Sequence, residues 1–306
     1  MLQKIGNVNI DDTFYPGKDL YSDGVIEDEI LEIVKNNPKE RYREIIEERA
    51  SWPIFYHLSE FRHNIVEWLP IGKNDKVLEV GSGCGAITGA LAAKAKEVTC
   101  IELSMKRTMI NATRNSECGN VNIHVGNFKD VESKLPCDYD YVMLIGVFEY
   151  GYGYMGTNTP YEDFAKILKK HLRPQGRMVI AIENKFGMKY FAGCREDHSG
   201  TFFDGIEDYP KGDGTARTFS RKGLAKILEA SGITEFQFYY PYPDYKFPRQ
   251  IYSDDFLPRK EENLELASNY MSPREQYFDE TKFIKSLVLE KEFKIFANSF
   301  FICLRK

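Results

Sequence analysis

The stretch VLEVGSGCGAITGAL, beginning at Val77, leaves a chain of this kind few folds to adopt. A short apolar run broken only by Glu79 enters Gly81-x-Gly83-x-Gly85, and a helical pattern follows. Glycines at this spacing let the backbone turn tightly and let a ligand approach the main chain. The following helix start offers backbone N–H groups to an anionic or polar ligand. Downstream, the runs EVTCI, VNIHV, YVMLI and RMVIAI alternate with the helical patterns SMKRTMINATRN and YEDFAKILKKHL. Strand and helix alternating in this way predict an α/β fold, a mainly parallel sheet covered on both faces.

Two cofactor classes fit the loop. Because Ala86 follows Gly85, the run also satisfies the looser dinucleotide fingerprint. Glu79, two residues before the first glycine, separates the two: placed at the strand end facing the ligand, it repels a pyrophosphate and attracts the ammonium of a methionine-type cofactor. Glu102 closes VTCIE, 21 positions after Gly81, where a carboxylate accepts from both ribose hydroxyls. In GNFKD, Asn127 is placed to bond the adenine amine and Phe128 to pack on its ring. The alternative is a helix-packing turn with surface acids.

Residues 1–70 read as a helical N-terminal cap and 71–306 as the core. GVIEDEILEIVKNN puts Val25, Ile26, Ile30, Leu31 and Val34 on one stripe, and SEFRHNIVEWLP reads as a helix capped by Ser59. Later, SRKGLAKILEASG is a helix from Ser220 to Gly232, TEFQFYYPY is a strand, and EFKIFANSFFICLRK is a second strand expected beside it. Between these two strands lies an insertion rich in Pro, Tyr and acids, about residues 241–282.

Over residues 76 to 150, these motifs resemble the class I S-adenosylmethionine-dependent methyltransferases. The resemblance implies a Rossmann-like, seven-stranded sheet with an antiparallel C-terminal hairpin and S-adenosylmethionine as cofactor. It adds Ser82, Leu103 and Ile145 to Glu79, Gly81, Gly83, Gly85, Glu102, Asn127 and Phe128 as cofactor contacts. Asn127 departs from the aspartate of many relatives, and an amide oxygen still accepts from an amine. The glycine-loop segment is also similar to ribosomal RNA adenine dimethyltransferases. Their Asn-x-Pro-aromatic motif is absent here, where the sequence reads IGVFEY. Three stretches, FYHLSEFRHNIVEWLP, AIENKFGMKYFAGCREDHSG and YYPYPDYKFP, look like a methyltransferase group accompanying bacterial glycosyltransferases of cell-surface polysaccharide loci. That likeness implies a saccharide or glycan-precursor acceptor and glycosyltransferase partners; a small-molecule acceptor, or a scaffold that binds cofactor without turnover, stays open.

Methyl transfer to a hydroxyl needs the acceptor positioned and its proton removed. Glu149, in LIGVFEYGYGYMG, is a candidate base or substrate anchor, or else a water-facing residue at an aromatic rim. His198, oriented by Asp197 or Glu196, is a second candidate base on a loop leaving strand five, against the alternative of a solvated loop. Tyr239, Tyr240, Tyr242, Tyr245 and Phe247 offer faces for sugar rings, with Asp244, Lys246 and Arg249 for hydroxyls or phosphate; the alternative is plain packing. Arg62 is a candidate for the cofactor carboxylate and Arg217 for a phosphate or uronate, each against a surface role.

Composition weighs against other classes. A formal charge of −5 argues against a protein that coats nucleic acid. The five histidines show no metal-binding spacing, so no metal is expected. The six cysteines are scattered without a C-x-x-C pair and read as reduced thiols. No secretory signal and no apolar run of roughly 20 residues is present, so a cytoplasmic protein is the expectation.

Overall fold

The computed structural model describes residues 2–210, 212, 216–264 and 274–306. The described residues hold ten strands: β1 Leu2–Ile5, β2 Val8–Phe14, β3 Lys76–Val80, β4 Glu97–Glu102, β5 Val121–Gly126, β6 Tyr139–Ile145, β7 Leu172–Glu183, β8 Phe236–Tyr242, β9 Gln250–Ser253 and β10 Ser299–Arg305. Their order is β1-β2-β5-β4-β3-β6-β7-β10-β8-β9. The seven expected strands are all there, as β3 to β8 and β10, and β10 lies antiparallel to β8. The expected count of seven is corrected to ten by β1, β2 and β9 at the two edges. The chain divides into two compact units, residues 1–144, 168–178 and 306, and residues 145–167 and 179–305.

In the first unit β2, β5, β4, β3 and β6 run parallel, with Val80 opposite both Ile101 and Leu144. Val77, Leu78 and Val80 are buried, as a central strand covered on both faces requires. Parallel neighbours need crossovers. The helix Thr88–Lys94 links β3 to β4, and Met105–Arg114, capped by Ser104 Oγ accepting from Arg107 N at 3.2 Å, links β4 to β5.

The N-terminal region is not helical throughout. β1 and β2 form an antiparallel hairpin, and β2 adds to the free side of β5. Gly6 makes the hairpin turn at φ +56, where a Cβ would overlap Ser116. The helices Ile26–Asn36, Tyr42–Arg49 and Trp52–Leu58 then pack Ile30, Ile33, Val34, Tyr42, Ile45, Ile54 and Leu58 around Cys84 of the glycine loop and Ile110. Each such side chain contributes about 1.5–3 kcal/mol on burial, so the helical layer and the loop stabilise one another. Val25 lies before the first helix and is exposed, off the expected stripe. Ser59 does cap, but in place of one helix it opens a 3-10 turn, Glu60–His63, succeeded by a single turn, Asn64–Glu67.

The second unit has an aromatic core. β8 pairs with β10 on one side and β9 on the other. Phe238 and Phe300 meet edge to face at 5.5 Å, and Tyr240 lies 6.1 Å from Phe293. The helix Arg221–Ala230 is capped as expected, Ser220 Oγ accepting from Gly223 N at 3.1 Å, with Gly232 at φ +72 beyond its end. Residues 292–298 are not strand: Phe293–Phe296 forms a helical turn before β10. The expected insertion supplies the end of β8, all of β9 and the start of the helix Glu280–Leu289; its residues 265–273 lie outside the described residues.

Candidate functional site

In the first unit the chain leaves β3 into three glycines with left-handed backbone, Gly81 at φ +71, Gly83 at +53 and Gly85 at +73. Two of them do different jobs. Gly85 is buried, and a Cβ there would overlap the Asn111 amide. Gly83 is partly exposed and has no atom within 4 Å of where its Cβ would stand, so a ligand can approach its backbone. Gly81 and Ser82 donate their N–H groups to Ile101 O, at 2.8 and 3.2 Å, which ties the loop to the end of β4. The loop does not pass straight into the helix; Ala86 and Ile87 intervene before Thr88.

Glu102 ends β4 with its carboxylate held from both sides: Gly83 N donates to Oε2 at 2.7 Å and Ser104 N to Oε1 at 3.0 Å. A carboxylate has roughly four acceptor sites, so two hydroxyls can still be accepted. Burial raises its pKa, partly offset by Arg107. Glu79 is placed otherwise than expected. It is buried, Oε2 accepts from Thr88 Oγ1 at 2.7 Å and from Cys100 Sγ at 3.4 Å, and burial pushes its carboxyl up to about 7. It thus braces strand, helix and loop, and its weight as an electrostatic discriminator falls.

Asn127 caps the turn Phe128–Val131, Oδ1 accepting from Lys129 N at 3.0 Å, while the Phe128 ring is buried edge-on to His171 at 6.4 Å. Leu103 is half-buried beside Glu102. Arg62 is buried, not on the surface, with its guanidinium 4.5 Å from the Tyr56 ring centre. Asp19, Asp23 and Glu27 escaped the reading of the sequence, where no motif marks them. Asp19 Oδ1 accepts from Met105 N at 2.6 Å, and Arg107 donates to Glu27 at 2.6 Å and Asp23 at 2.5 Å. The segment between β2 and the first helix is thereby fastened next to Glu102.

In the second unit Ile145 is half-buried at the end of β6, and Glu149 follows on a 3-10 turn. Glu149 is 1% exposed, with its carbonyl accepting from Arg217 N at 2.9 Å and Tyr161 OH at 3.1 Å. Its Oε1 lies 3.4 Å from His198 Nε2, and His198 Nδ1 lies 3.0 Å from Glu196 Oε1. Glu196 Oε2 also accepts from His198 N and Ser199 N, both at 2.7 Å, so Glu196 is what orients the imidazole. Burial opposes the imidazolium, but Glu149 and Glu196 outweigh it and hold His198 protonated well above the ordinary range. An imidazolium has no free ring nitrogen with which to accept a proton.

Asp197 does not orient His198. Lys189 Nζ at 2.7 Å, Lys246 Nζ at 2.9 Å and Tyr190 OH at 2.6 Å surround it, and Lys246 also pairs with Glu183. Glu183, the last residue of β7, was not among the expected site residues; an acid directly ending the run RMVIAI was the available signal. Ligand atoms of Glu149, Glu183 and His198 all lie within 4.8 Å of one another. Among the described residues Glu149 Oε2 and Glu183 Oε2 are buried without a hydrogen-bond partner. Most of the expected sugar platform is closed: Tyr240, Tyr242 and Tyr245 are buried, and Asp244 Oδ1 is engaged by Lys246 N and Phe247 N, while Tyr239 and Phe247 are half-buried and Arg249 is exposed.

Residues 77–176 match the methyltransferase domain family. A probable cobalt-precorrin-6B C(15)-methyltransferase (decarboxylating) from Methanothermobacter thermautotrophicus is 28% identical over 121 residues, covering 38% of this chain and 57% of that protein. The ribosomal RNA small subunit methyltransferase A of Borreliella afzelii is 31% identical over 201 residues, 65% of this chain and 61% of that protein. The chain thus spans about three fifths of the length of these relatives. A solved SAM dependent methyltransferase from Archaeoglobus fulgidus superposes with a TM-score of 0.50 at 15% identity, over 87% of this chain and 100% of that one. The chain carries a methyltransferase domain, on the Rossmann-like fold of SAM-dependent methyltransferases.

Proposed function

We propose that this chain is an S-adenosylmethionine-dependent methyltransferase acting on a hydroxyl of a saccharide or glycan precursor. The observation that carries the cofactor is Glu102, fixed by Gly83 N and Ser104 N beside the open face of Gly83, on a domain that matches methyltransferases. These residues fit the group: the carboxylate keeps acceptor capacity for a ribose diol, and no side chain fills the space at Gly83. The cofactor supplies a methyl group on a sulfonium, already activated for displacement.

The chain's own part is to bind, orient and deprotonate. Glu149 and Glu183 each keep one buried oxygen open, suited to two hydroxyls of a polyhydroxylated acceptor. Glu149, raised by burial against the pull of His198, takes the acceptor proton, and the imidazolium of His198, held by Glu196, keeps that carboxylate in place. Lys189 and Lys246 hold Asp197 and Glu183 ionised beside them. The likeness of the flanking stretches to methyltransferases that accompany glycosyltransferases supports the glycan and such partners. Among the described residues no helix is long and apolar enough to cross a membrane.

Labelled methyl transfer to isolated lipid-linked glycans and to small-molecule pools tests the reading. Label in the glycan fraction, lost in Glu149→Gln, supports it. Label in small molecules alone replaces the acceptor class, and cofactor binding without transfer to any pool leaves a scaffold.

A further inference from the structure

Four carboxylates and two ammonium groups meet in the second unit: Glu149, Glu183, Glu196 and Asp197 against Lys189 and Lys246. With His198 protonated, that buried set carries one uncompensated negative charge, and an ion that displaces the ring proton from Nε2 meets two. Such an excess is costly away from water unless a cation answers it. The unpaired oxygens show where. Glu149 Oε2 and Glu183 Oε2 are buried and have no partner among the described residues, on side chains each 1% exposed.

The third donor is prepared. Glu196 takes the Nδ1 side of His198 at 3.0 Å and is itself fixed by two backbone N–H groups. A carboxylate on one ring nitrogen, with the other aimed at a shared point, is how metal-binding imidazoles are oriented. His198 Nε2 stands 3.4 Å from Glu149 Oε1. That is long for a charge-assisted hydrogen bond, which runs about 2.7–2.9 Å. It is close to the separation of two ligands that each lie about 2.1 Å from one tetrahedral ion.

We propose that Glu149, Glu183 and His198 bind one divalent transition-metal ion, with Glu196 as the outer partner that orients the imidazole. Two carboxylates and one imidazole suit Mn²⁺, Fe²⁺ or Zn²⁺. Three protein ligands leave coordination positions for water or for an acceptor hydroxyl, which the ion would make more acidic. That consequence rests on the proposed hydroxyl acceptor; the site itself does not. Lys246, bonded to the other oxygen of Glu183, sets a limit on affinity by like-charge repulsion.

The test is Mn²⁺ titration of the chelator-treated full chain, read by electron paramagnetic resonance and calorimetry. One saturable site per chain is expected, weakened at least tenfold in Glu183→Gln and in His198→Ala and unchanged in Asp138→Asn, which alters an exposed acid of the other unit. Thermal melts keep a poorly folding variant informative, since Mn²⁺ should raise the melting temperature of wild type and not of either variant. Absence of saturable binding of Mn²⁺ and Zn²⁺ at millimolar concentration, or binding indifferent to both substitutions, overturns the proposal. Ion binding by a chain that methylates no hydroxyl leaves the metal site standing and removes only the acceptor reading.

Discussion

Glu102→Gln isolates the contact on which the cofactor reading depends. Gly83 N and Ser104 N donate to different oxygens of this carboxylate, at 2.7 and 3.0 Å. An amide keeps one acceptor and turns the other into a donor, so one backbone N–H faces a like group whichever way the amide flips. A hydrogen bond to a charged group contributes about 1.5–3 kcal/mol, and a stranded buried donor costs about 1–3 kcal/mol. The backbone part of that loss is present with or without ligand and shows as a lower melting temperature. The ribose part appears only on binding, because the diol loses one of two ionic acceptors. That loss of about 1.5–3 kcal/mol weakens S-adenosylhomocysteine by roughly 10- to 150-fold. Calorimetric titration of variant and wild type, beside their melting curves, separates the two. A variant that melts lower yet binds with an unchanged dissociation constant would refute the assignment of Glu102 to the ribose.

Gly85→Ala should destabilise by about 1–3 kcal/mol or more, because its Cβ meets Asn111 in a packed interior, whereas Gly83→Ala should cost only about 1–2 kcal/mol for its left-handed backbone while impairing ligand binding. Chemical denaturation with cofactor titration shows whether the two glycines separate in this way. For Glu79, burial raises the folded-state pKa to about 7 from an ordinary 4.5. Its stabilising share is therefore full below about pH 4.5 and lost as pH climbs to about 7, a change on the order of 3 kcal/mol. Relative to wild type, Glu79→Gln should gain stability between about pH 5 and about pH 8, and parallel urea curves at the two pH values would contradict this. Glu149→Gln should abolish turnover while leaving the dissociation constant of S-adenosylhomocysteine unchanged; wild-type turnover would return Glu149 to a packing residue.

The central strands were legible because a parallel sheet buried on both faces demands apolar runs, and KVLEV, EVTCI and YVMLI are mostly apolar. The edges were not. β2 hides its period of two, Val8 and Ile10 buried, among Asn9, Asp11 and Asp12, and β1 is mostly exposed. β9 has four residues and takes its register from β8. Near the candidate site, the left-handed turn at Gly83 and the place of Glu102 at the end of β4 follow from spacing alone. Glu79 does sit near the end of β3, but nothing in spacing says that Thr88 will claim one of its oxygens. The tyrosines of YYPYPDYKFP carry the same message whether they hold a sugar or fill a core, and burial decides for the core at Tyr240, Tyr242 and Tyr245. The ion cluster joins Glu183, Lys189 and His198, all within residues 183–198, to Glu149 and Lys246 from segments distant in the chain, and that pairing leaves no local pattern.

Calorimetric titration of the purified chain with S-adenosylhomocysteine, in parallel with NAD, tests the central claim most directly. Saturable one-site binding of the sulfur nucleoside with no response to the dinucleotide is the predicted result. Uptake of NAD by a chain that ignores S-adenosylhomocysteine would contradict the account at its base.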